Sequence, residues 1–203
     1  MKKNMTLTYV VDGALYINVT NRCTNNCDFC IRRNGDGAYG SDSLWLEREP
    51  TAEELIESVF SRDLRAFREV VFCGYGEPSL RLDVCREVAL KIKERADVHV
   101  RMNTNGHSSL AHGYDTAPLY KDAFDCVSIS LNTPSESRYD EICHPVLDGA
   151  YTAMLDFARE VKKHVPTVML SVVRDFLTDE EISACRAIAD ECGVTLKVRD
   201  YIS

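Results

Sequence analysis

Long apolar runs are missing from this 203-residue sequence. Nothing in it approaches the about 20 residues that a membrane-spanning helix needs. The opening MKKNMTLTYVVDG carries two lysines but no extended apolar core and no small-residue cleavage site, so it does not read as a secretion signal. Positive charge is also in deficit: 24 Lys and Arg stand against 32 Asp and Glu, a formal net charge of −8. That balance argues against a general electrostatic grip on nucleic acid or anionic lipid, both of which favour a basic face. The expectation is a cytoplasmic chain with no membrane and no general nucleic-acid partner. Its length fits one domain spanning residues 1–203, since a chain of this size buries about 70% of its unfolded surface around one core.

Nine cysteines are present, too few for a disulfide scaffold and odd in number, so at least one thiol is unpaired. Six are scattered singly: Cys73, Cys85, Cys126, Cys143, Cys185 and Cys192. The other three, Cys23, Cys27 and Cys30, fall within CTNNCDFC. Such a run is too tight to reach separate parts of a fold, but a loop of that length wraps a small inorganic core. Thiolates select zinc or iron–sulfur chemistry. A structural zinc site uses four ligands, usually as two separated pairs, and no second C-x2-C or H-x3-H pair exists here. A [4Fe-4S] cluster with one iron left open fits three cysteines. Zinc completed by a distant Cys or His, and three ordinary loop thiols, remain the alternatives.

The periodicity around this run is that of an α/β chain. Within Val11–Thr20, ALYINVT alternates as a strand that feeds the cysteine loop. Residues 34–50 hold three glycines and no period, and read as a loop. Thr51 and Glu54 form a capping box ahead of Leu55, Ile56, Val59 and Phe60. EVVFC is a strand ending at GYGEP, and residues 83–95 are an amphipathic helix. VHVRMNT, CVSISLN, TVMLSVV and TLKVRDYI are further strands. Pro118–Ala123 is a helical turn, residues 135–164 are helical with a break over Cys143–Gly149, and Thr178 caps a last helix through Cys192. Six strands alternating with helices give a parallel sheet with helices outside.

CTNNCDFC, with its aromatic Phe29 before the last cysteine, resembles the CxxxCxxC signature of the radical S-adenosylmethionine (radical SAM) superfamily. FCGYGEPSLRLD with SLNTPS is similar to the small members associated with TatD-type nucleases. The resemblance implies a partial (β/α)6 TIM-like barrel of parallel strands, with ligands at the strands' C-terminal ends, where the cysteine loop, GYGEP, NTNG and LNTP all fall. It implies that Cys23, Cys27 and Cys30 ligate three irons of a [4Fe-4S] cluster. The fourth iron would bind S-adenosylmethionine (SAM), which one electron cleaves to a 5′-deoxyadenosyl radical that takes hydrogen from a substrate. The electron would come from a donor such as flavodoxin or ferredoxin.

The same resemblance places Phe29 near the adenine, with core packing as its bland alternative. Gly76 and Glu77 stand where the family's GGEP motif receives the methionine ammonium. Tyr75 occupies the place of the motif's first glycine, an aromatic departure that would point into the substrate space or to solvent. Ser130 and Asn132 are candidates for hydrogen bonds to SAM, with Asn132 in an Asx turn as the alternative. Asn103 and Asn105 of NTNG face SAM or substrate, and Ile202 stands where relatives pack the adenine. No catalytic residue is assigned. Cys73 reads as a buried strand residue beside the site, and Cys185 and Cys192 as core. His107 and His144 are substrate-side options, and Arg22, Arg32, Arg33, Arg174 and Arg199 are rim cations able to meet phosphate or carboxylate, with solvation as their default. Trp45 and Leu46 make the 34–50 loop a lid or docking element unless it packs on the barrel.

The expected activity is hydrogen abstraction from a small-molecule or nucleotide-like substrate. A glycyl-radical-enzyme activase and a non-catalytic iron–sulfur or zinc module are the alternatives.

Overall fold

The computed structural model describes residues 3–200, so Ile202 lies outside the described residues. Seven strands form one sheet in strictly sequential order. They are β1 (Thr8–Val11), β2 (Ala14–Asn18), β3 (Glu69–Cys73), β4 (His99–Thr104), β5 (Cys126–Ser130), β6 (Thr167–Val173) and β7 (Thr195–Arg199). β2 through β7 run parallel, as the six βα units require, and make a partial (β/α)6 barrel open beyond β7.

β1 is the addition to the expected count. It pairs antiparallel with β2 through a turn at Asp12 and Gly13, both with positive φ (45° and 74°), as a two-residue type I′ hairpin demands. The Asp-Gly signal between two apolar runs was available in the sequence. The strand TLKVRDYI ends, within the described residues, at Arg199.

The helices are α1 (Ala52–Phe60), α2 (Leu82–Arg95), α3 (Ser108–His112), α4 (Glu136–Cys143), α5 (Ala150–Val161) and α6 (Asp179–Cys192). The expected capping box is present at Thr51 with Glu54, and the expected cap at Thr178 proves to be a second capping box, with Glu181. The break between α4 and α5 coincides with His144 and Gly149, both in left-handed backbone. The five-residue α3 follows NTNG and is too short to show a period.

Alternation along the strands decides which face is which. Leu15, Ile17, Val70, Phe72, Val100, Met102, Val127, Ile129, Leu170 and Val172 face the helices in one core, together with Cys85, Cys143 and Cys185. Their alternates, including Tyr16, Cys73, Arg101, Asn103, Ser128 and Ser171, take the opposite, concave face. A helix core of apolar alternates against a polar lumen is why the strand C-termini form the site.

The loop at 34–50 packs on the barrel and is not a detached lid. Leu44 and Leu46 are fully buried, and Ala38 and Leu44 join Tyr9, Val11 and Tyr75 in a second core over β1–β3. Asn18 and Asn21 tie the loop's backbone down at Leu44 and Leu46.

Candidate functional site

The three clustered cysteines lie on the loop that leaves β2, all half-buried and all free thiols. Their loop is held by backbone bonds to the far end of α4: Asn26 N–H donates to Cys143 O, Asp28 N–H to Ile142 O, and Val146 N–H to Thr24 O, each at 2.9 Å. The guanidinium of Arg33 donates to Cys27 O and Asn26 O, and that of Arg32 to Asn25 O. These bonds occupy the loop's carbonyls.

Burial pushes the Cys23 thiol up to about 12, helped by the nearby Glu77, and raises Cys30 as well. Cys27 is raised first by a hydrogen bond with Cys143 and then by burial. Thiols in this setting stay protonated until a cation compensates the charge, as coordinated iron does. Donors already face Cys23: Asn25 N–H lies 3.4 Å from its sulfur and Asn105 Nδ2 lies 4.0 Å from it. Among the described residues no three Cys, His, Asp or Glu side chains converge as the ligands of one ion do. A cluster spreads its thiolates over separate irons and needs no such convergence. The donor set fits a [4Fe-4S] group.

The second rim turn follows β3. Gly76 is excluded from carrying a side chain by packing: a Cβ there would meet Thr20 O at 2.3 Å and Arg22 O at 2.5 Å. Glu77 N–H donates to Arg22 O at 2.7 Å, so the two turns are locked together just ahead of Cys23. The Glu77 carboxylate is buried and accepts from Thr104 Oγ1 (2.7 Å), Asn105 N–H (2.7 Å) and Ser79 N–H (3.0 Å). Burial pushes its pKa up, against the pull of these donors. A buried carboxylate of this kind favours a cationic neighbour.

Tyr75 corrects the sequence expectation. Its ring points neither into the substrate space nor to solvent. It is 3% exposed, meets Trp45 edge-on at 5.1 Å, and its hydroxyl donates to Gly35 O. The aromatic at this position anchors the 34–50 loop.

NTNG is split by the end of β4 at Thr104, which leaves Asn103 in the strand and Asn105 in the turn beyond it. Asn105 turns to the cysteine loop, donating to Thr24 Oγ1 at 2.7 Å, whereas the Asn103 carbonyl accepts from Arg101 in the lumen at 2.6 Å. Asn132 forms no Asx turn. Its backbone is left-handed (φ 65°) and its Nδ2 donates to the sulfur of Cys143, the neighbour of Cys27. Ser130 ends β5, half-buried on the concave face. Phe29 packs on the core, with its ring 5.1 Å from that of Phe176.

A polar network behind the loop escaped the sequence reading. His107 is buried, with Nδ1 2.9 Å from Thr24 Oγ1 and Nε2 3.0 Å from Tyr139 OH. Asn25 Nδ2 also donates to Tyr139 OH. Burial holds the imidazole down to about 4, so it is neutral. His107 is therefore behind the cysteine loop and not on the substrate side. His144 bonds Asp28 at 2.9 Å in the α4–α5 turn. Only tertiary folding joins residues 24, 25, 107 and 139, so no local spacing marks them. Of the rim arginines, Arg22 pairs with Glu49 and Arg174 lies near Asp179.

Comparison with known proteins agrees with this geometry. The family model described as the radical SAM superfamily matches residues 17–187. The GTP 3′,8-cyclase of Acidothermus cellulolyticus is 28% identical over 93% of this chain and 51% of its own length. Molybdenum cofactor biosynthesis protein 1 of Drosophila melanogaster is 27% identical over 82% of this chain and 28% of its own. The chain thus spans about half or less of these curated relatives. Streptococcus suis SuiB bound to S-adenosylmethionine shares the fold with a TM-score of 0.66 at 15% identity, over 92% of this chain and 38% of that one. With a family match over most of its length, the chain belongs to the radical SAM superfamily, enzymes that use a [4Fe-4S] cluster and S-adenosylmethionine.

Proposed function

We propose that the β2 loop binds the cluster through Cys23, Cys27 and Cys30, and that SAM lies across the C-terminal rim toward a small-molecule or nucleotide-like substrate. When bound, cluster and SAM supply one-electron cleavage to a 5′-deoxyadenosyl radical, the species that abstracts hydrogen. The chain's own residues hold and orient. Gly76 lets the β3 turn close on the cysteine loop. Glu77 offers its buried carboxylate to the methionine ammonium, and Ser130 offers a hydroxyl to SAM. Phe29 supplies an apolar face for the adenine. Asn105 and the Asn25 amide donate toward Cys23 sulfur and favour its thiolate form. Asn132 acts one step away, through Cys143. The electron comes from a flavodoxin or ferredoxin.

The observation that carries this reading is three half-buried thiols on one rim loop, locked at Gly76 to the GYGEP turn. The nucleotide-like substrate is supported by the curated relatives, two of which bear the names GTP 3′,8-cyclase and molybdenum cofactor biosynthesis protein 1. Anaerobic reconstitution is the test. The expected protein is brown, carries about four irons per chain and cleaves SAM under dithionite, and single Cys→Ala changes at 23, 27 or 30 abolish both properties. Colourless, zinc-loaded protein that does not bind SAM would sink the reading. A glycyl-radical EPR signal on an added protein would move the substrate class from small molecule to protein.

A further inference from the structure

Cys143 has the burial of a core thiol: it ends α4, has no exposed surface and belongs to the main apolar cluster. Its neighbours are not those of a core thiol. The cysteine loop runs past it, clasped on both sides of Cys27 by Asn26 N–H to Cys143 O and Asp28 N–H to Ile142 O, each at 2.9 Å. Cys27 packs against the same cluster and shares a hydrogen bond with the Cys143 thiol. Packing alone asks only for a small apolar residue at the end of α4, a demand that no hydrogen bond serves.

On its other side Cys143 meets an amide. Asn132 is buried, follows β5 with a left-handed backbone (φ 65°), and its Nδ2 donates to Cys143 Sγ at 3.3 Å. Its own backbone N–H is fixed separately, to Ser171 O. Asparagine tolerates the left-handed region where most side chains do not. The chain therefore holds an unusual backbone position whose side chain is aimed at a sulfur. A thiol carries one proton and also accepts. With the Asn132 amide already received as a donor, the Cys143 proton has the Cys27 sulfur as its acceptor.

We propose that Cys143 is a positioning residue for the cluster: its S–H donates to the thiolate of Cys27, and Asn132 holds it in that orientation. This role rests on the proposed function, because it needs Cys27 bound to iron as a thiolate. Hydrogen bonds to the ligating sulfurs are among the groups that set a cluster's potential. One-electron reduction adds negative charge to the cluster, so a donor aimed at a ligating sulfur stabilises the reduced form more than the oxidised one. Cys143 keeps its proton throughout, and no bond to it is made or broken. Asn25 and Asn105 already face Cys23 in the same manner, and Cys143 extends that support to a second ligand.

The test is a potentiometric titration of the anaerobically reconstituted protein without SAM, read by EPR of the reduced cluster. Cys143→Ala makes reduction roughly threefold to tenfold less favourable, the worth of one hydrogen bond, and lowers the one-electron midpoint by up to about 59 mV. Cys143→Ser keeps a donor and stays closer to the parent midpoint than Cys143→Ala does. An alanine midpoint equal to or above the parent's, or a serine midpoint as low as the alanine one, overturns the role. If Cys143→Ala holds too little iron to titrate, ENDOR of the reduced parent and of Cys143→Ser decides. An exchangeable proton whose coupling to the cluster changes between the sulfur and the oxygen donor supports the role, and identical spectra overturn it. Iron content of the parent separates the two ideas. A loaded parent with no shift in Cys143→Ala overturns the Cys143 role alone, whereas a parent that takes up no iron overturns the cluster assignment itself.

Discussion

Gly76 is the residue on which the site's geometry closes. The space a methyl group would need is already filled by Thr20 O and Arg22 O, and backbone yields less easily than side chain. Gly76→Ala is expected to cost about 1–3 kcal/mol by overpacking and to displace the entry to the cysteine loop. Reconstituted Gly76→Ala should hold clearly less iron than the parent, measured as iron per chain beside its thermal midpoint. Full iron with an unchanged midpoint would show that the contact is soft. The sequence marked this glycine for a cofactor contact, whereas the packing reason needed two turns distant in the chain to be seen together. His107 makes a second residue-scale case. Its pKa in the fold is about 4, below the ordinary 6.5. The neutral ring therefore contributes stability that is present in full above about pH 6.5 and is lost as pH falls to about 4, roughly 3 kcal/mol across that window. Glu77, pushed up by burial, works with the opposite sign, so the contribution must be read as a difference. The unfolding free energy of the parent should fall more steeply between pH 6.5 and 4 than that of His107→Gln. Parallel slopes would refute the neutral, buried assignment.

At the scale of elements, what was legible is what repeats or caps locally. The caps at Thr51 and Thr178 could be read because each acts within its helix's own first turn. Thr51→Ala and Thr178→Ala should each cost about 1 kcal/mol in denaturant unfolding. Both helices begin on the rim side, α1 just after Glu49, which holds Thr20 and Arg22, and α6 just after Phe176, whose ring meets Phe29. Iron per chain should therefore fall in both variants, and unchanged iron would show that these helix ends are uncoupled from the cysteine loop. The parallel strands were legible for the same reason: period-two runs between turn signals. β1 was passed over because its four residues look like an approach to β2, although Asp12 and Gly13 dictate the reversal. The environments of Tyr75, Asn132 and Cys143 were not legible. Tyr75 is buried by a loop whose Gly35 precedes it by 40 residues in the chain, and Cys143 meets Cys27 only because α4 ends against the cysteine loop. Strand order predicts that a rim exists, but not which side chains the rim turns inward.

The whole molecule joins a well-packed sheet to a site assembled from chain segments that contribute little to its core. Residues 24–28 touch the body mainly through backbone bonds to 142–146 and the Asn105, His107 and Tyr139 side chains. β3, β4 and β5, by contrast, pair on both edges and carry fully buried residues toward the helices. Free energy of opening should differ accordingly between the two regions. A bound cluster ties Cys23, Cys27 and Cys30 into one unit and stabilises only states in which the loop is formed. Removing it with a chelator under anaerobic conditions should therefore speed amide exchange selectively at Asn26, Asp28 and Val146, the three donors that clasp the loop to α4. Amides within β3–β5 should keep their protection. Faster exchange throughout the sheet would mean that the cluster holds up the entire fold, and no change at the three amides would mean that the loop is preorganised without it.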